Sequence, residues 1–244
     1  MPTVTERLDD LFLDDMKIYQ RSDQFCLSLD AVLLAHYARP MSGRSYIDLG
    51  TGTGALALML SSLGATSVTA VELNPVMADL ARRNVELNGR DDRITVVEGD
   101  YRALSDRRMH GAFAGAVVNP PYRVVGSGPV SSKEGVARAM HEETATLGDV
   151  TAAARTLVKY GGFLWMVHLA ERTPDVFEAL RKADFEPKRV RFVHSKPGGR
   201  AKFILIEARY GGHAGTEIEA PLFIYGEDGS YTEEVRRIYG RKDG

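Results

Sequence analysis

Residues 112–122, AFAGAVVNPPY, form a strand-like apolar run that ends in Asn119-Pro120-Pro121-Tyr122, and that ending is the strongest chemical signal in the chain. Two successive prolines hold φ near about −65°, remove two backbone N–H donors and push Asn119 out of the helical region, so the chain leaves the strand extended. The Asn119 side-chain oxygen and the Pro120 carbonyl can then face one small volume. Both are acceptors, and two adjacent acceptors suit a planar –NH2 group on a base or an amide. Tyr122 adds a flat face for stacking. An amino nitrogen held this way presents its lone pair to a carbon electrophile in line. Asn-Pro and Pro-Pro are also common turn signals, and a plain strand-to-turn exit is the competing reading.

Further candidate groups precede it at regular places. Residues 46–60 read YIDLGTGTGALALML: a short buried strand, a glycine-rich turn with Gly50, Gly52 and Gly54 around Thr51, then a helix. Such glycines let backbone approach a ligand closely, and the helix start favours an anionic group. The spacing is G-x-G-x-G, not the G-x-G-x-x-G of dinucleotide binders, and Asp48 stands just before it. A strand over 67–71 runs into Glu72 and Leu73, at the distance where such folds place an acid on ribose hydroxyls. A strand over 94–97 runs into Glu98-Gly99-Asp100-Tyr101. Asp48, Glu72, Asp100 and Asn119 therefore each fall at the carboxyl end of a successive strand, where open α/β sheets bind ligands. Taken singly, each acid could be a surface or capping residue.

The elements that must carry these groups can be read around them. Residues 8–19 are acidic and amphipathic. Ser28 is placed to cap a helix whose Leu29, Val32, Leu33 and Tyr37 share one face, with Pro40 just past its end; Asp30, polar in that run, is left for a ligand or a cap. Asn74 caps and Pro75 opens another helix, which Asn88-Gly89 closes. The long polar segment 123–146, which holds Arg138 and His141, is a functional loop that orders around substrate or a flexible linker. A helix follows over 147–159, then a turn at Gly161-Gly162, a fifth strand over 163–169 and a helix over 173–183. Strands over 188–194 and 202–209, joined by SKPGGRA, form an antiparallel hairpin. Arg189, Arg191 and Lys202 make one basic edge of it, with Lys196 and Arg200 at the tip: a solvated edge that blocks strand pairing, or a polyanion contact. The tail reads as an extended segment over 218–225 and a short amphipathic helix over 231–239.

Length and composition bound the function. The 244 residues, 44% hydrophobic and 26% charged, suit one globular α/β domain: an extension or lid over 1–40, a core over 41–210 and a C-terminal extension over 211–244. A net charge of −2 leaves any nucleic-acid partner to a local basic patch. The single cysteine, Cys26, rules out an intrachain disulfide framework and points to a reducing compartment. With no secretory pattern at the start and no transmembrane-length apolar run, a cytoplasmic protein is expected. The histidines show no ligand spacing with one another or with Cys26, so no metal is expected, and no serine nucleophile elbow is present.

In this order, strand–glycine loop, acid, Asp100 and NPPY resemble the class I S-adenosylmethionine-dependent methyltransferases that act on amines. With Tyr19-Gln20, residues 25–34 (FCLSLDAVLL), Phe192-Val193-His194 and residues 225–232 (YGEDGSYT), the chain is similar over nearly its whole length to the tRNA1(Val) adenine N6-methyltransferase family. The resemblance implies a Rossmann-like α/β fold, a seven-stranded mostly parallel sheet with a C-terminal antiparallel hairpin, and S-adenosylmethionine as cofactor, leaving S-adenosylhomocysteine. Asp48 to Gly54, Thr51 included, would line its methionine part, with Asp30 nearby. Glu72 would take the ribose hydroxyls beside Leu73, and Asp100 and Tyr101 would meet the adenine. Asn119 and Pro120, followed by Pro121, would accept from the target amine, and Tyr122 would stack on a flipped base. The implied reaction is metal-free methyl transfer to N6 of an adenine next to the anticodon of valine tRNA, with positioning supplying most of the acceleration. By residue type and not by the resemblance, Arg138, His141, Lys196 and Arg200 are the candidates to hold RNA if RNA is the partner. No DNA or membrane partner is implied, and a monomer or homodimer is compatible. NPPY is shared with methyltransferases acting on DNA adenine, ribosomal-RNA guanine and protein glutamine, so another amine acceptor is the alternative. A non-catalytic RNA-binding protein on the same fold is a further one. Segment 123–146 departs from the family pattern.

Overall fold

The computed structural model describes residues 4–240 apart from Phe12, Phe25, Ser105 and 121–144. The chain opens with an antiparallel hairpin, β1 (Glu6–Asp10) and β2 (Lys17–Arg21), and then helix α1 (Leu29–Ala38). Strands β3 (Ser45–Leu49), β4 (Ser67–Glu72), β5 (Ile94–Glu98) and β6 (Phe113–Val118) follow, with α2 (Ala55–Ser62) and α3 (Pro75–Leu87) between them. After 121–144 come α4 (Leu147–Leu157), β7 (Val158–Leu169), α5 (Thr173–Lys182), β8 (Phe185–His194) and β9 (Ala201–Tyr210). The tail adds β10 (Glu217–Ile218), β11 (Leu222–Phe223) and α6 (Glu233–Ile238).

The main sheet runs β5-β4-β3-β6-β7-β9-β8, and β10 and β11 flank β8. All are parallel but β9, which pairs antiparallel with β7 and β8. The expected seven strands are therefore present, and two two-residue strands of the tail bring the sheet to nine. Because its strands are covered on both faces, they read as near-continuous apolar runs. Tyr46, Val117, Trp165 and Val167 join the core beneath α1 and α2, whereas Ile47, Leu49, Ala116, Val118, Leu164 and Met166 join the core beneath α4 and α5.

The acidic, amphipathic stretch 8–19 is split between the two strands of the first hairpin. Three local expectations are corrected. Helix α1 is buried almost all round, from Asp30 to Ala35 and again at Tyr37 and Ala38, and the Ser28 hydroxyl bonds the Asp30 carboxylate without capping the backbone. Strand β7 starts at Val158, directly after α4, and the register slip between Phe113 and Gly115 absorbs the residues through Gly162. Arg189 and Arg191 do not make a solvated edge. Arg189 lies 3.3 Å from both Glu207 and Glu219, and Arg191 forks onto Glu234 at 2.6 and 2.9 Å. These pairs tie the tail over the flank of β8, which leaves no long open strand edge there.

The first hairpin is held by two asparagines one turn apart, Asn84 on α3 and Asn88 at its C-terminal cap. Asn84 Oδ1 accepts from the Tyr19 N–H (2.7 Å), while its Nδ2 donates to the carbonyls of Tyr19 (3.1 Å) and Thr53 (2.9 Å). Asn88 repeats the pattern, accepting from Lys17 N–H (3.0 Å) and donating to the Lys17 carbonyl (2.7 Å). The two amides thus pair with the edge of β2 as another strand would. Asn84 has 0% exposure, so its partners have no water to turn to. Asn84→Ala should cost about 3 kcal/mol in urea denaturation, the penalty of several unsatisfied buried groups, and half-buried Asn88→Ala about 1 kcal/mol. Equal costs for the two would show that burial does not set the strength of this attachment.

Candidate functional site

The carboxyl ends of β3, β4, β5 and β6 meet along one edge of the sheet. The turn after β3 is fastened to β4, since the N–H groups of Gly50 and Thr51 both donate to the Val71 carbonyl at 2.9 Å. Thr51 Oγ1 donates to Asp48 Oδ2 at 2.5 Å, and Gly54 N–H to the Thr51 carbonyl at 3.0 Å. At the end of β4, Glu72 accepts the Gly52 N–H on one oxygen and the Asn74 N–H on the other, both at 2.8 Å. Asn74 caps α3 through Val76 N–H at 2.9 Å. Gly50 has φ of +77°, and a side chain there would enter open space above the turn. Gly54, at +80°, lies where a Cβ would come within 3.3 Å of Ala81 on α3. The turn therefore needs glycine once for a left-handed backbone under an open surface and once for close packing as well.

Asp48 is 1% exposed, and burial pushes its carboxyl up to about 7. The Thr51 hydroxyl pulls against that shift, and the nearby Glu72 charge adds to it. Asp100 follows β5 and accepts from the Arg102 backbone at 2.9 Å and from its guanidinium at 2.6 and 2.9 Å. That pairing holds Asp100 below the usual carboxylate range. Tyr101 beside it is half-buried, and burial pushes its phenol up to about 12. Leu73, next to Glu72, is 47% exposed and presents an apolar side chain at the same edge.

Asn119, half-buried, and Pro120, buried, come directly after β6. Pro121, Tyr122, Arg138 and His141 lie outside the described residues. The segment before α1 reaches this edge too, because Gln24 Oε1 accepts from Asn74 Nδ2 at 3.4 Å. Asp30, in the first turn of α1, is buried and accepts from Ala31 N–H at 3.0 Å. Lys196 and Arg200 are exposed in the turn between β8 and β9. The register Val118↔Met166, Leu169↔Phe203 and His194↔Ala201 sends that turn out on the same side of the sheet as Asn119. Sequence reasoning overlooked Arg102, Asn84 and Gln24. Arg102 had a signal in its i+2 spacing from Asp100; the other two act across 31 and 50 residues, and no local pattern marks them.

This edge offers carboxylates and an exposed apolar side chain around a glycine turn with open space. That set suits a ligand with a positive charge, hydroxyl donors and a flat apolar part, and S-adenosylmethionine has all three. Among the described residues, no group of three or more His, Cys, Asp and Glu is placed to hold a metal ion, and no helix is long and apolar enough to cross a membrane.

Comparison with known proteins agrees with the fold. Residues 24–119 match the family model described as ribosomal protein L11 methyltransferase (PrmA). The chain is 27% identical to a tRNA1(Val) (adenine(37)-N6)-methyltransferase of Shewanella sp. (strain MR-4), over 86% of this chain and 88% of that protein. It is 28% identical to the protein of the same name from Bacteroides fragilis, over 72% and 74%. Among solved structures, a predicted O-methyltransferase from Agrobacterium tumefaciens aligns with a TM-score of 0.71 at 24% identity, covering 88% of this chain and 98% of that one. Geranyl diphosphate C-methyltransferase from Streptomyces coelicolor A3(2), solved with S-adenosyl-L-homocysteine, aligns at 0.56 with 14% identity over 74% and 76%.

The Asp48 proton yields a measurable pH dependence. An unfolded aspartate titrates near about 3.9, below the folded value of about 7. The folded state therefore holds an extra proton between those values, and ligand-free stability falls as pH rises through that window. Asp48→Asn removes this slope. Urea denaturation at about pH 5 and about pH 7.5 should show a larger loss for the wild type than for the variant; parallel losses would place the proton elsewhere.

Proposed function

We infer that this chain, a class I methyltransferase by fold and by resemblance, transfers a methyl group from S-adenosylmethionine to the exocyclic N6 amine of an adenine next to the anticodon of valine tRNA. The observation that carries the reading is the position of Asn119-Pro120 at the end of β6, on the same sheet edge as Asp48, Glu72 and Asp100, in a chain whose named relatives align over 86% of it. A protein acceptor ranks lower. The family model for ribosomal protein L11 methylation ends at residue 119, whereas the relatives named for tRNA also match the part beyond it.

In this reading the Asp48–Gly54 turn, with Thr51 and Gly52, lines the methionine part of the cofactor, and Asp30 stands at its side. Glu72 keeps unused lone pairs for ribose hydroxyls while it holds two backbone N–H groups. Leu73 covers one face of the cofactor adenine, and Asp100 and Tyr101 meet its edge. When bound, the cofactor supplies an electrophilic methyl on a cationic sulfur and is left as S-adenosylhomocysteine. Asn119 Oδ1 and the Pro120 carbonyl accept the two N–H bonds of the target amine, which turns the nitrogen lone pair out of conjugation with the ring. Tyr122, after Pro121, takes a face of the flipped base. A proton then leaves the nitrogen for water. Lys196 and Arg200, with Arg138 and His141, contact the RNA. The protein acts in the cytoplasm as a monomer or homodimer, with no DNA, membrane or metal partner.

Nucleoside analysis after reaction with labelled cofactor and unmodified valine tRNA should show N6-methyladenosine. Asn119→Ala should lower kcat by about a hundredfold, the scale on which misplacing reacting atoms acts. Undiminished transfer by that variant would remove Asn119 from the chemistry. A labelled product destroyed by protease and resistant to ribonuclease would make the acceptor a protein.

Phosphate contacts add a salt signature. Lys196→Ala or Arg200→Ala should each weaken tRNA binding and flatten its log–log salt dependence by about one unit. Unchanged slopes in both would take the hairpin tip out of the RNA path.

A further inference from the structure

Three tyrosines of the tail form one stack. Tyr225 and Tyr231 lie 5.3 Å apart between ring centroids at an interplanar angle of 10°, and Tyr231 and Tyr239 lie 5.6 Å apart at 21°. Tyr231 is the middle ring and Tyr239 follows α6. Tyr225 ends the stack: one face rests on Tyr231, no further ring contact is made by it among the described residues, and it is 38% exposed. The backbone that carries this ring is firmly held. Its N–H donates to the Ser195 carbonyl at 2.8 Å, Ile224 N–H donates to the His194 carbonyl at 2.9 Å, and a backbone bridge joins it to Tyr231. Below, Thr232 bonds the Phe223 carbonyl at 2.7 Å, and the Arg191–Glu234 fork fastens α6.

The surroundings say what such a ring can take. Ser195 precedes Lys196, so Tyr225 sits against the start of the exposed basic turn. The His194 ring N–H donates to the Gly199 carbonyl at 2.7 Å and shapes that turn from within. Exposed Glu227 and Asp228 stand on the tail side, which leaves the Lys196–Arg200 side to phosphates. An aromatic face beside a cationic turn is the combination that single-stranded nucleic acid uses, with bases on rings and backbone on charges.

We propose that Tyr225 is a base-stacking platform for the substrate RNA, adding a nucleobase as the fourth layer of the Tyr225–Tyr231–Tyr239 stack. The proposal rests on the RNA acceptor inferred above and adds a contact to it. Four strand steps, β6-β7-β9-β8-β11, separate the platform from the β6 end, roughly 20 Å at the spacing of paired strands. The stacked base is therefore several nucleotides from the methylated adenine. Such a contact selects an RNA whose loop spans both points, and it acts on substrate binding more than on the chemical step.

The test compares wild type with Tyr225→Ala, Tyr225→Phe and Tyr225→Trp. Binding of unmodified valine tRNA, steady-state methylation, calorimetric binding of S-adenosylmethionine and melting temperature are measured for each. Tyr225→Ala should raise both Kd and KM for tRNA about tenfold with kcat and cofactor affinity near wild type, and it should keep the wild-type salt slope because stacking releases no counterions. The Phe and Trp variants should bind as the wild type does. Equal KM in the Ala variant, or a Phe variant as impaired as the Ala variant, overturns the platform and leaves the acceptor reading standing. So does a defect in Tyr225→Ala that comes with a lower melting temperature and lost cofactor binding, which would make the stack purely structural. Wild-type protein that binds this tRNA through Tyr225 without methylating it overturns the acceptor reading and keeps the platform. Neither binding nor methylation overturns both.

Discussion

Two backbone N–H groups converge on the buried Glu72 carboxylate, one from Gly52 and one from Asn74, and the carboxyl-end edge of the sheet is built around that convergence. A carboxylate with little access to water must be given partners, and here the partners are the glycine turn after β3 and the start of α3. One side chain thereby fixes the shape of the turn relative to the neighbouring strand end. Asn84 extends the same connection outward, because it holds the Thr53 carbonyl in the turn and the Tyr19 backbone in the first hairpin. The hairpin, the turn and α3 are thus coupled through two buried polar side chains, and a disturbance in any one is felt in the turn.

The strand ends were legible in the sequence for a physical reason. In a parallel sheet covered on both faces, buried strands are apolar throughout, so a polar residue can enter only where the strand stops. Asp48, Glu72 and Asn119 stood out against their runs on that basis, and Asn74-Pro75 declared the start of α3 by its own local chemistry. The errors came where partners lie far along the chain. Arg189 and Arg191 alternate as an exposed edge would, but Glu207, Glu219 and Glu234 bury them from β9 and the tail. The extra length of β7 was hidden by Gly161-Gly162, which reads locally as a turn. In the fold Gly162 is packed so closely that a Cβ would lie 2.7 Å from the Ala114 carbonyl, so glycine there serves close strand contact. Gly115 tells the same story, with a Cβ that would fall 2.3 Å from the Trp165 ring.

Charge is divided within a nearly neutral protein. The carboxyl-end edge of the sheet carries the acids Asp48, Glu72 and Asp100, an environment that favours a cation over a polyanion. The exposed Lys196 and Arg200 project from the same side of the sheet but several strands away. Burial raises the Asp48 carboxyl to about 7, which tempers the negative charge of the edge before any cation arrives, while the Arg102 guanidinium compensates Asp100 locally. A net charge of −2 hides this arrangement, since the average says nothing about which end of the sheet carries which sign.

The span of the L11 methyltransferase family model, residues 24–119, stops one residue past β6, and the fold gives that limit a meaning. Up to that point the chain holds a glycine turn, strand ends and helix starts fastened to one another mostly through backbone groups. Beyond it lie the β8–β9 hairpin and a tail that pairs with the flank of β8. The sheet's hydrogen bonding fixes where those elements emerge. The relatives that align over 86% of the chain extend into that second part, which the match to 24–119 does not reach. Arg191, Thr232 and the Ile224 and Tyr225 backbone all hold the tail to β8, and the exposed Tyr225 ring is so fixed beside the basic turn that carries Lys196 and Arg200.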